Sequence, residues 1–217
     1  MFADRVDGGR QLARALTAYQ GDPGTVVLGI PRGGVIVAAE VARLLELPLG
    51  AAVAAKVGAP GNPEYAVGAV AADGVVLANP EAGYPAEQVD AMAGAARSKV
   101  SAETRRLNAL GAAVDVTGRT AILVDDGLAT GLTAMAAAGW LRRAGAARVI
   151  VAVPVASPSA AEAMRGFVDE VVAVERPDWF SAVGGFYRDF GQTEDAEVDR
   201  VIVEARGRAD RDQARGE

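Results

Sequence analysis

The 217-residue chain carries 22 lysines and arginines against 28 aspartates and glutamates, a formal net charge of −6, and has neither cysteine nor histidine. That excludes disulfides, thiolate nucleophiles and zinc–thiolate sites, removes the usual general base, and leaves oxygen ligands for any metal, which points to magnesium. An acidic balance argues against a broad nucleic-acid surface, and no apolar run is long and clean enough to span a bilayer or serve as a secretory signal, so a cytoplasmic protein built on one buried α/β domain is the expectation.

In chain order, Phe2, Val6, Leu12, Leu16 and Tyr19 recur at roughly helical spacing, although Gly8 and Gly9 interrupt the pattern. G-D-P-G at 21–24 is a turn, and T-V-V-L-G-I at 25–30 reads as a buried strand. P-R-G-G follows and opens the helix V-I-V-A-A-E-V-A-R-L-L. Gly33 and Gly34 free the backbone ahead of a helix N-terminus, and Arg32 offers a planar fork suited to two phosphate oxygens. Residues 48–55 read as another strand ended by Lys56, and 57–64, rich in glycine and proline, as a mobile loop in which Asn62 and Glu64 are possible polar contacts. Two apolar runs between 65 and 78 around Asp73-Gly74 predict a hairpin, and 86–110 predicts a helix with a mixed-charge, solvated face.

Thr120–Val124 is a further buried strand, followed by D-D-G-L-A-T-G-L-T and a helix-forming run. Gly127 and Gly131 let backbone N–H groups converge, Thr130 and Thr133 add hydroxyls, and the helix N-terminus supplies positive potential, so the turn is an anion cradle that needs no lysine. It is not a Walker loop, since Leu132 stands where the lysine would be, and no G-x-G-x-x-G is present. Asp125 and Asp126 sit beside the cradle as paired acceptors that suit a ribose diol with magnesium nearby. Strands near 148 and at 168–174 complete an alternation expected of a parallel sheet, with Ser157 or Ser159 capping the helix between them. Trp179, Phe180, Phe186, Tyr187 and Phe190 then cluster in one turn-rich segment, either a stacking platform or a mini-core anchoring the C-terminal helix. A helix starts at Thr193, and the closing R-G-R-A-D-R-D-Q-A-R-G-E, without apolar anchors, reads as disordered.

V-D-D-G-L-A-T-G-L-T resembles the phosphoribosyl-pyrophosphate motif of the type I phosphoribosyltransferases, and G-I-P-R-G-G resembles their pyrophosphate loop. The resemblance implies an α/β parallel-sheet fold with a Rossmann-like core, within a domain of residues 1–192. A helical insertion at about 80–117, a hood at about 175–192 and a C-terminal helix and tail at 193–217 would decorate it. It implies magnesium-dependent phosphoribosyl transfer to a nitrogenous base, with Asp125 and Asp126 on the ribose hydroxyls. Gly127, Leu128, Ala129, Thr130, Gly131, Leu132 and Thr133 would surround the 5-phosphate, and Pro31, Arg32, Gly33 and Gly34 the pyrophosphate, with a non-proline cis peptide at Pro31–Arg32. Lys56 would close over the substrate from a flexible loop, Trp179 and Phe180 would face the base, and Arg188 and Asp189 would reach toward pyrophosphate and its metal, Asp189 joining Asp125 and Asp126 as metal ligands. Ala129 stands where members using 6-oxopurines commonly carry an acid, which disfavours hypoxanthine and guanine; the L-A-T-G wording is nearer the adenine type, and the base stays unassigned. A non-catalytic or regulatory phosphoribosyl-binding protein of the same fold is the rival reading, and a homo-oligomer is left open.

Overall fold

The computed structural model describes the backbone of residues 1–216 and the side chains of all of these except Glu64 and residues 212–216. In chain order the elements are α1 (Arg5–Ala15), β1 (Thr25–Gly29), α2 (Gly33–Leu45), β2 (Leu49–Ala51), β3 (Ala54–Ala59), β4 (Asn62–Ala71), β5 (Val76–Ala78), α3 (Ala86–Met92), α4 (Gly94–Ala109), β6 (Thr120–Val124), α5 (Leu132–Arg143), β7 (Arg148–Val155), α6 (Pro158–Met164), β8 (Glu170–Glu175) and α7 (Asp195–Gly216).

Five strands form a parallel sheet in the order β2-β1-β6-β7-β8. Their apolar runs alternate between two cores, because successive strand side chains point to opposite faces. Val26, Leu28, Ala121, Leu123, Val149 and Val151 face the core built with α5 and α6, while Val27, Ile122, Val124, Ile150 and Ala152 face α1 and α2. The glycines that interrupt the first helical pattern lie inside α1 and serve close packing. A Cβ on Gly9 would stand 2.8 Å from the Val37 carbonyl oxygen and 2.9 Å from Glu40 Cβ on α2.

Four departures from the sequence reading have local causes. The single strand expected at 48–55 divides at Ala52–Val53 into β2, in the parallel sheet, and β3, in a second sheet of order β3-β4-β5. The expected loop at 57–64 is the β3–β4 hairpin, antiparallel and turned at Gly61 with φ +74°. Glycine and proline hid it: register shifts around Gly58 absorb the irregularity, and Pro63 lies in the part of β4 beyond its pairing with β5, so its missing N–H breaks no ladder there. The helix expected over 86–110 is broken at Ala93, giving α3 and α4. Finally, α7 runs through 206–216, where disorder was expected from the lack of apolar anchors. Ala205, Arg206, Arg208, Ala209 and Arg211 are good helix formers, so propensity carries the helix on beyond the buried Val198 and Ile202. Glu217 lies outside the described residues.

The Asp73–Gly74 turn joins β4 to β5 as expected, with Gly74 at φ +79°. Residues 80–117 form α3, α4 and their flanks, and Val100 and Leu107 of α4 share a core with Val35, Val198 and Ile202, so α2, α4 and α7 enclose one end of the parallel sheet. The aromatic segment at 180–190 packs with Phe2 and Val155 into a small core of its own. Phe2 donates its N–H to the Phe186 carbonyl (2.8 Å), and Arg188 donates back to Phe2 (2.9 Å). The aromatics therefore anchor the N-terminal segment, whereas the mini-core alternative had them holding the C-terminal helix.

Candidate active site

Parallel strands that end in line bring the loops after them together. β1 and β6 are neighbours, and Ile30 N–H donates to Val124 O at 2.9 Å, stitching the P-R-G-G turn to the start of the D-D-G-L-A-T-G-L-T turn. The two glycines of the first turn lie against the two aspartates of the second. A Cβ on Gly33 would overlap the Asp126 carboxylate, and one on Gly34 would stand 2.8 Å from Asp125 Cα and 2.7 Å from Val124 O. Only glycine permits this approach. The Pro31–Arg32 peptide is cis, as expected.

Both following helices start open. α2 has Arg32 at its N-cap, with no capping bond from its side chain, and α5 has Gly131, at φ +75°, which has no side chain to cap with. In α2 the Val35 N–H donates to Arg32 O (3.2 Å), and the earlier N–H groups of Gly33 and Gly34 lie, with the positive end of the helix dipole, beside the acid pair. Ala129 and Thr130 are exposed, while Leu128 is buried and fixes the loop. Leu128 N–H donates to Val155 O (2.9 Å), Ser157 N–H to Leu128 O (2.8 Å), and the Ser157 hydroxyl to Ala129 O (2.7 Å). The same hydroxyl accepts from Ala160 N–H at 3.0 Å, capping α6. Ser157 is legible in the sequence as a helix cap; its hold on the cradle is not.

Asp125 Oδ1 accepts from Asp126 N–H at 2.9 Å, and Asp126 Oδ2 accepts from Arg5 Nε at 2.9 Å. Burial pushes Asp125 well above the usual carboxylate range, and the neighbouring Asp126 charge adds to it. Burial also raises Asp126, against the opposing pull of Arg5. Tyr187, whose hydroxyl donates to the Asp126 carbonyl at 2.6 Å, is raised by burial and by the Asp126 charge. Arg5 carries no sequence signal, and Tyr187 reads only as one of the clustered aromatics; their bonds to Asp126 span 121 and 61 residues of chain, which no local pattern shows.

Other predicted site residues fall in three places. Pro31, Arg32, Lys56 and Thr133 line one cleft of about 780 Å³ with Lys99 and Glu103 of α4. Arg32 pairs with Asp195 at 3.6 Å across it. Phe180 stacks on Phe186, with centroids 5.3 Å apart, while Trp179 is 90% exposed, so the two do not form one platform. Val183 of the same segment covers Gly127 instead, where a Cβ would meet its Cγ1 at 2.6 Å. Arg188 is exposed, and Asp189 accepts from Gly191 N–H at 3.1 Å. The three-aspartate metal set is not assembled: among the described residues no group of three His, Cys, Asp or Glu side chains could hold a metal ion. Arg5 Nε occupies Asp126 Oδ2 at 2.9 Å and already neutralises that carboxylate, so the acid pair is a poor site for a directly bound cation.

A model of the phosphoribosyl transferase domain matches residues 4–190, which span both turns, the acid pair and the aromatic segment. The chain belongs to the phosphoribosyl transferase domain family. A Mycobacterium tuberculosis protein provisionally named as a phosphoribosyl transferase is 42% identical over 202 residues, covering 91% of this chain and 45% of that protein. The chain thus spans about half the length of the curated relatives it matches. The crystal structure of TT1426 from Thermus thermophilus is similar at a TM-score of 0.80 and 42% identity, covering 94% of this chain and 98% of that one. In this phosphoribosyl transferase domain the P-R-G-G turn, the D-D-G-L-A-T-G-L-T turn and the acid pair follow β1 and β6 at the carboxyl edge of the sheet. Among the described residues no helix is long and apolar enough to cross a membrane.

Proposed function

We propose that the chain transfers a 5-phosphoribosyl group from 5-phosphoribosyl 1-pyrophosphate to a ring nitrogen of a nitrogenous base, releasing pyrophosphate. The observation that supports this best is the contact of Gly33 and Gly34 with Asp126 and Asp125, which sets the start of α2 against the acid pair that leads into the loop before α5. A ligand suited to that arrangement carries an anion at each end and hydroxyl donors between them. On this reading the 5-phosphate sits on Ala129–Thr133, the ribose diol donates to Asp125 and Asp126, and the pyrophosphate lies on Pro31–Gly34.

In the reaction, the bond from C1 to the pyrophosphate oxygen breaks and its electron pair leaves with the pyrophosphate. The ring nitrogen lone pair forms the new bond to C1, and the proton that nitrogen carried passes to water. Charge building on the leaving group is met by Arg32 and by the N–H groups that open α2, which require no reorganisation. Held diol and phosphate fix C1 against the incoming base. Magnesium arrives bound to the pyrophosphate as part of the substrate. Little proton transfer is asked of the protein, in keeping with a chain that has no histidine. The methyl group of Ala129 cannot handle the N7 proton of a 6-oxopurine, so hypoxanthine and guanine are poor acceptors on this reading.

Release of pyrophosphate from the donor, followed with magnesium over a panel of purine and pyrimidine bases, tests the proposal. Turnover dependent on at least one base is expected. Donor binding without turnover on any base would reduce the protein to a phosphoribosyl-binding module.

A further inference from the structure

One arginine outside both motifs reaches the acid pair. Arg5, in the first turn of α1, donates through Nε to Asp126 Oδ2 at 2.9 Å and through Nη1 to the Gly191 carbonyl at 2.8 Å. Its guanidinium carbon lies 4.0 Å from the centroid of the Phe190 ring. The ion pair is largely withdrawn from solvent, with side chains 14% and 17% exposed. At that depth water screens weakly, and the arginine charge acts strongly on both aspartates.

Counting carboxylate oxygens sharpens the point. Asp126 Oδ2 is engaged by Arg5 and Asp125 Oδ1 by the Asp126 N–H, so each carboxylate keeps one oxygen outside these bonds. Two acceptors are what a vicinal diol needs. The Arg5 guanidinium already supplies positive charge beside them, which lowers the pull of the pair on a divalent cation.

We propose that Arg5 is a positioning residue for sugar recognition: it fixes the Asp126 carboxylate and neutralises the acid pair, so that a sugar phosphate binds at this pair without a metal. The inference rests on the phosphoribosyl reading above, and it confines any metal requirement to the pyrophosphate end. It also couples the pair to the hood, because the same side chain holds Gly191 and Phe190.

The test is calorimetric titration of ribose 5-phosphate into the full chain, once in EDTA and once in magnesium chloride. Wild-type affinity is expected to agree between the two buffers within about twofold, a difference under about 0.5 kcal/mol. In EDTA, Arg5→Gln should weaken binding on the order of tenfold or more, since two adjacent buried carboxylates lose their counter-charge. Arg5→Lys, which keeps the charge, should recover most of it. Wild-type binding that requires magnesium, or Arg5→Gln binding like wild type in EDTA, would overturn the inference while leaving the phosphoribosyl reading intact. Absence of wild-type binding in both buffers would overturn both. Thermal melts run beside each titration separate lost binding from lost folding, and should Arg5→Gln not fold, the wild-type comparison alone decides.

Discussion

Gly33 lies directly beneath the Asp126 carboxylate, so close that a Cβ there would overlap Oδ2 and stand 2.7 Å from Arg5 Nε. Neither neighbour is free to retreat, because each holds the other. Gly33→Ala should therefore leave the parallel sheet intact, displace Asp126, and weaken donor binding on the order of a hundredfold, about 2.7 kcal/mol. Circular dichroism and titration with 5-phosphoribosyl 1-pyrophosphate check the two halves.

Ser157→Ala removes one hydroxyl with two duties, the cap on Ala160 N–H and the bond to Ala129 O. Loss of the cap alone costs about 1–2 kcal/mol, or roughly 3–6 °C in Tm for a chain of this size. Because the cradle loosens as well, ribose 5-phosphate affinity should fall severalfold. A fall in Tm with unchanged affinity would show that Ser157 serves α6 only.

Asp125 carries a pH signature. Its folded pKa is raised by burial above the ordinary 3.8, so the folded state holds the proton more tightly than the unfolded chain. The stability it contributes is fully present below 3.8 and lost as pH rises through the raised folded value. Asp125→Asn keeps an oxygen for the Asp126 N–H and cannot ionise. Its Tm should exceed that of wild type by a margin that grows as pH rises above about 4, while sugar binding weakens; a constant margin across pH would contradict the assignment.

Lys99 of α4 shares the 780 Å³ cleft with Arg32 and Lys56. It is exposed, and among the described residues it makes no ion pair, so Lys99→Gln should cost little stability. If the cleft receives the leaving group, inorganic pyrophosphate affinity should drop about three- to tenfold at low salt and less at high salt. Ribose 5-phosphate affinity should not change.

Both strand–turn–helix junctions are legible because each is a short-range pattern, an apolar strand, glycines and a helix start within about a dozen residues. Their meeting was legible only through resemblance, since β1 and β6 pair across 95 positions, from Thr25 to Thr120. Arg5 left no sequence signal: one arginine near the N-terminus looks like any solvated cation until α1 packs on α2. The β3–β4 hairpin was hidden by Pro60, Gly61 and Pro63, whose turn chemistry is real but serves a two-residue turn and a bulged ladder. The aromatics were correctly seen as a cluster. Phe2, the residue that decides what they anchor, lies at the other end of the chain.

The central claim is that the two turns and the acid pair form a single site. Competition titration tests it most directly: pyrophosphate and ribose 5-phosphate are each bound first, then 5-phosphoribosyl 1-pyrophosphate is added with magnesium. The account predicts that one donor molecule per chain displaces both. Donor binding that leaves either one in place would contradict it.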